Sequence, residues 1–145
     1  MTSHENDPLR ERFLLRLKQF SSAADRLDAA LVQPETEFVR DSIVQRFEFT
    51  FELAWKTMQA WLRLSGTDAR SPREVLGEAL RQGVVGNGDC WSRALEYRNI
   101  TSNTYDEQKS VDICRFVRSE GAALLRSALK ELAQKALEND PLWAE

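Results

Sequence analysis

The chain has 145 residues, of which 42% are hydrophobic and 30% charged, and it carries a net charge of −3. That size and balance suit one domain around one core, and the negative total excludes a broad electrostatic grip on nucleic acid, so any such contact has to be focal. No apolar run approaches the roughly 20 residues that span a bilayer, and the opening MTSHENDPLR lacks the basic and apolar regions of a signal peptide; the expectation is a cytoplasmic protein with no membrane partner.

Residues 1–8 read as a flexible tail, 9–138 as one helical domain and 139–145 as a second tail. Phe13, Leu17, Phe20, Ala24, Leu27 and Leu31 form one apolar stripe at helical spacing, which Pro34 terminates. A second helix is predicted from Glu35 to Leu64, with Gly66 as its left-handed cap. Ile43, Phe47, Phe51, Ala54, Met58 and Trp61 lie near one of its faces, while Phe38, Phe49, Leu53 and Trp55 lie elsewhere around it. A helix apolar over more than one face needs more than one packing partner, so a second copy of the chain is expected to cover part of it.

Ser71-Pro72-Arg73-Glu74 is a helix start: serine caps, proline suits the first helical position and Glu74 completes a capping box. A short helix to about Gln82 follows, then a connector with Gly83, Gly86 and Gly88, then another short helix from Asp89 to about Arg98. The glycine spacing is not that of a dinucleotide-binding loop, and no strand precedes it. The last long helix runs from near Tyr105 to about Glu138. Three long and two short helices predict an all-α, up-and-down four-helix bundle with an additional short helix.

Cys90 and Cys114 are the only cysteines and His4 the only histidine, too few for a structural zinc site or a cysteine nucleophile with its base. No metal and no cofactor is expected, and both cysteines read as buried small hydrophobes. The polar run Arg98-Asn99-Ile100-Thr101-Ser102-Asn103-Thr104-Tyr105 breaks the helical pattern, because Ser, Asn and Thr side chains compete for backbone hydrogen bonds. Thr104 with Glu107 offers a capping box for the last helix. A helix N-terminus beside the Arg98 guanidinium would suit a phosphate. The plainer alternative is a joint between helices with Arg98 paired to a carboxylate.

Three blocks carry a family resemblance: Ile43-Val44-Gln45-Arg46-Phe47-Glu48-Phe49-Thr50-Phe51-Glu52-Leu53-Ala54-Trp55-Lys56, then Ser71-Pro72-Arg73-Glu74, then Arg98 to Tyr105. In this order and spacing, over roughly Leu9 to Leu137, the chain resembles the nucleotidyltransferase substrate-binding protein family, a branch of the HEPN superfamily (higher eukaryotes and prokaryotes nucleotide-binding). The resemblance implies a dimerising helical bundle encoded beside a minimal nucleotidyltransferase, the two acting as toxin and antitoxin. In that family the bundle cleaves RNA without metal, and its partner silences it by attaching AMP to a tyrosine.

The family motif reads Arg, a polar residue, three variable residues, His, any residue, Tyr. Arg98, Asn99 and Tyr105 match it, and Asn103 stands where the histidine belongs. An asparagine amide cannot exchange a proton near neutral pH as histidine does, and losing such a group commonly costs about 10²- to 10⁴-fold in rate. His4, far away in sequence, is no substitute. By resemblance, Arg98, Asn103 and Tyr105 make up the catalytic constellation, Arg98, Asn99 and Asn103 bind nucleotide or RNA, and Tyr105 accepts AMP. The expected function is a HEPN-type toxin component with an impaired RNase site; the alternative is a non-catalytic substrate- or nucleotide-binding subunit of a nucleotidyltransferase complex.

Overall fold

A computed structural model describes residues 2–101 and 106–138, apart from the side chains of residues 2–7 and 101. Among the described residues all regular structure is helical: α1 (Thr2–Leu31), α2 (Glu37–Leu64), α3 (Pro72–Arg81), α4 (Gly88–Thr101), α5 (Glu107–Phe116) and α6 (Ala122–Glu138). A π-helical turn, Val117–Gly121, joins α5 to α6 without a break, so the two form one rod. The expected count of three long and two short helices therefore holds. α1 already begins at Thr2, ahead of the first expected domain boundary.

Local chemistry sets most of the helix ends. The Thr36 hydroxyl accepts from the Val39 amide at 3.1 Å and opens α2. Ser71 accepts from the Glu74 amide at 3.1 Å, with proline in the first turn of α3. α2 closes at Gly66, whose φ of +91° is the left-handed conformation that glycine adopts without a Cβ clash. Its continuation is locked by the Thr67 amide donating to the Leu62 carbonyl at 2.8 Å.

α2 is the axis of the molecule and packs against every other helix. Phe47, Phe51, Met58 and Leu62 on it are completely buried, and Leu53 and Trp55, which the periodicity placed off the main face, are buried to about nine-tenths. One chain thus covers most of the circumference that suggested a second copy; on α2 only Phe38 and Phe49 stay exposed as large hydrophobics. The Thr50 hydroxyl, fully buried, lies 2.6 Å from the Arg46 carbonyl and 3.2 Å from that of Ala23 on α1.

Side-chain contacts give the helix directions. Arg46 reaches the Arg26 carbonyl and Thr50 that of Ala23, so α1 and α2 are antiparallel. Arg40 pairs with Glu107 near one end, and Lys135 lies over the Trp61 ring near the other, so α2 and the α5–α6 rod are parallel. Arg93 pairs with Glu120 and Tyr97 stacks on Phe116, so α4 is antiparallel to the rod. With α1, α2, α4 and the rod alternating in direction, the four-helix arrangement follows, and α3 is the additional short helix lying against α2 and α4.

Candidate functional site

Arg98 sits one turn before the end of α4, and its guanidinium crosses to α2. Its Nη2 pairs with Glu52 Oε1, and its Nη1 donates to Asn99 Oδ1 at 3.1 Å. The second oxygen of Glu52, Oε2, accepts from the Trp55 indole N–H at 3.1 Å. A chain of contacts thus runs from Trp55, buried in the bundle, through Glu52 to Arg98, with both charged side chains roughly a quarter exposed. The indole fixes the carboxylate, and the carboxylate fixes the plane of the guanidinium. The carboxylate partner of the plainer alternative is therefore real.

Two expectations around the motif change. α4 continues to Thr101 instead of ending near Arg98, because the Glu52 pair holds its last turn from the side and Ile100 packs against the core. The cap of α5 is Asp106, not Thr104: the aspartate accepts from the Gln108 amide at 2.9 Å, and the helix begins at Glu107. One first-turn amide is therefore already used by a carboxylate, and Glu107 is bound to Arg40 at 3.3 Å. Negative charge from Asp106 and Glu107 occupies the helix start, so any phosphate affinity here falls to Arg98.

Asn103 and Tyr105 lie outside the described residues, as do Ser102 and Thr104. Of the motif positions, Arg98 and Asn99 are placed, and they are in contact with each other. Tyr97, the tyrosine outside the motif, is half-buried and stacked on Phe116 at a ring separation of 4.8 Å, which commits its ring to the core.

Both thiols are buried, as expected of small hydrophobes. Burial pushes the Cys114 thiol up to about 11, while Cys114 Sγ lies 3.5 Å from the Arg40 carbonyl. Cys90 is also raised by burial. Neither carries the thiolate that nucleophilic chemistry needs at neutral pH. Among the described residues no group of His, Cys, Asp and Glu side chains is placed to hold a metal ion, and no helix is long and apolar enough to cross a membrane.

Glu52 is the site residue that sequence reasoning missed. It stood inside the block that carries the family resemblance, as a carboxylate amid Phe51, Leu53, Ala54 and Trp55. A charge in so apolar a stretch implies a partner, since a charge is rarely left half-buried without one. Its partner lies 46 positions further along the chain, and periodicity cannot supply that pairing.

Comparison with known proteins bears on the family and the fold. Residues 15–134 match the family model described as "Nucleotidyltransferase substrate binding protein like". A curated protein of Haemophilus influenzae (strain Rd), "Probable ribonuclease HepT", is 35% identical over 88 residues; the match covers 54% of this chain and 60% of that protein's length. A solved structure of a protein from Thermus thermophilus superposes with a TM-score of 0.71 at 30% identity, covering 78% of this chain and 98% of the other.

Proposed function

Because this chain belongs to the nucleotidyltransferase substrate-binding protein family, we propose that it is the ribonuclease-type half of a two-component toxin-antitoxin pair, with its own proton-transfer step impaired. The partner is a minimal nucleotidyltransferase encoded nearby. The observation that carries this reading is the Trp55–Glu52–Arg98 chain, which sets the first residue of the Arg98 to Tyr105 motif in a fixed orientation at the end of α4. In RNA cleavage the 2′-hydroxyl oxygen attacks the neighbouring phosphorus, the 5′-oxygen leaves, and one proton is taken up while another is delivered. Arg98 neutralises the charge that builds on the phosphate, and residue 103 is the proton carrier, a role that asparagine cannot fill.

Tyr105 is the AMP acceptor in this reading. Its phenolic oxygen attacks the α-phosphate of ATP held by the partner, pyrophosphate leaves, and the phenolic proton passes to a base or to water. The added AMP, anionic and carried on the same motif as Arg98, then competes with RNA phosphate for the guanidinium. This step does not need the missing histidine. The match to a protein named as a ribonuclease favours this reading over a purely substrate-binding subunit.

The test is RNA cleavage by three purified forms. The unaltered protein should cleave poorly or not at all, Asn103→His should cleave, and Arg98→Ala in that background should abolish the gain. Efficient cleavage by the unaltered protein would show that Asn103 is not the deficit. In parallel, incubation with the partner, ATP and Mg²⁺ should add AMP mass to a peptide containing Tyr105. Added mass that persists in Tyr105→Phe, or appears on Tyr97, would refute the acceptor assignment.

A further inference from the structure

Many arginines of this protein stand in ion pairs. Arg40, Arg81, Arg93, Arg98, Arg118 and Arg126 each meet a carboxylate. The cations along the open groove between α1 and α2 do not. Arg16, Lys18, Arg26, Arg46 and Lys56 all line it, and among the described residues none of the five is in an ion pair; Glu52 is the groove's single carboxylate. The groove has a volume of about 990 Å³.

Antiparallel packing arranges these charges in order. Arg26 and Arg46 stand toward one end, where the Arg46 guanidinium is anchored on the Arg26 carbonyl at 2.6 Å. Arg16 and Lys56 stand toward the other, ten residues along α1, or about 15 Å away at the rise of an α-helix. Between the two pairs Phe49 is 55% exposed, an aromatic ring left in solvent over a floor that includes Leu53. Glu52 belongs to this wall and also holds Arg98, so the groove abuts the motif arginine.

Unneutralised cations along an apolar channel with an open aromatic ring form a surface for a single-stranded nucleic acid: the cations track phosphates and the ring takes the face of an unstacked base. Duplex recognition needs no such ring. A second copy docked groove to groove is disfavoured as the occupant, since the two basic linings would face each other. We propose that the α1–α2 groove is the track along which single-stranded RNA reaches Arg98, with Phe49 stacking one base and the cations at either end binding flanking phosphates. The track rests on the RNA-facing reading of the Arg98 site and adds to it where the substrate lies.

The experiment uses the full chain and a fluorescein-labelled single-stranded RNA of about twelve nucleotides, within the length such grooves accommodate. Fluorescence anisotropy over a range of salt concentrations gives the Kd. Reversal of one cation at each end, Arg26→Glu with Lys56→Glu, should weaken binding at least about 10-fold and reduce the salt slope by about 1 to 1.5, as two phosphate contacts are lost. Phe49→Ala should weaken it about 10-fold, the scale of one stacked base. Arg63→Glu with Arg73→Glu, off the groove, should leave it unchanged, and circular dichroism melts verify that every variant is folded.

Unaltered affinity in the groove variants, or no RNA binding by the unaltered chain, overturns the proposal. So does a groove variant whose mass in solution drops from dimer to monomer in step with lost binding, which would make the groove a self-interface. A groove variant that loses the nucleotidyltransferase while keeping RNA overturns it as well. Cleavage by Asn103→His that survives groove reversal with unchanged KM removes the track and leaves the Arg98 reading intact. RNA bound in the groove without any cleavage by Asn103→His does the reverse.

Discussion

An arginine side chain carries about 2 kcal/mol of rotamer entropy, which it loses whenever it is held against a phosphate. At Arg98 much of that loss occurs on folding, since Glu52 and, behind it, the Trp55 indole already restrict the guanidinium. The pair is partly exposed, so its contribution to stability is small, of the order of 1 kcal/mol or less. Its value is orientation. Glu52→Gln, in the cleaving Asn103→His background, is expected to lower kcat about 10- to 100-fold through misplacement of the guanidinium. The same change removes the one carboxylate from the basic groove, so KM for RNA should fall rather than rise. A merely structural residue would not split the two constants in this way. Steady-state cleavage kinetics check it, and an unchanged kcat would show that Arg98 needs no positioning.

At the scale of elements the α5–α6 rod depends on one small residue. A Cβ built on Gly121 would come within 2.9 Å of the Phe116 ring, at the end of the π-helical turn. That ring cannot easily give way, because it stacks on Tyr97 at 4.8 Å and meets the edge of Phe47 at 6.1 Å. In an ordinary helix Gly→Ala stabilises by up to about 1 kcal/mol, whereas overpacking a core costs about 1–3 kcal/mol. Gly121→Ala should therefore destabilise the protein, and thermal melting should show a lower midpoint. Gly77, exposed within α3 with open space around it, is the matched contrast, and Gly77→Ala should raise the midpoint by a few degrees. A rise for both would mean that the π-helical turn absorbs the extra methyl group.

For the molecule as a whole, a homodimer has less apolar surface to form on than helix periodicity indicated. α2 buries nearly all of its apolar residues inside one chain, but Phe38 is 84% exposed and Val32 79%, on either side of the α1–α2 turn. Large apolar side chains this open, close together in sequence, suit an interface between copies. Light scattering at micromolar concentration should give twice the 16.7 kDa chain mass, and Phe38→Asp should return it to one. A monomer in the unaltered protein would refute the dimer.

Helix positions, caps at Ser71 and Gly66, the burial of both cysteines and the family motif were all legible in the sequence, because each depends on residues within a turn or two of one another or on a fixed spacing. The extension of α4 past Arg98 was not, since local propensity opposes it and a carboxylate from another helix supports it. Asp106 rather than Thr104 capping α5 was a choice between two competent neighbours that local sequence leaves open. The enclosure of Leu53 and Trp55 and the unpaired cations of the α1–α2 groove arise only when α1 lies antiparallel on α2 and the remaining helices close around it. Which charges find a partner and which face solvent is decided between elements, by packing that one-dimensional spacing does not encode.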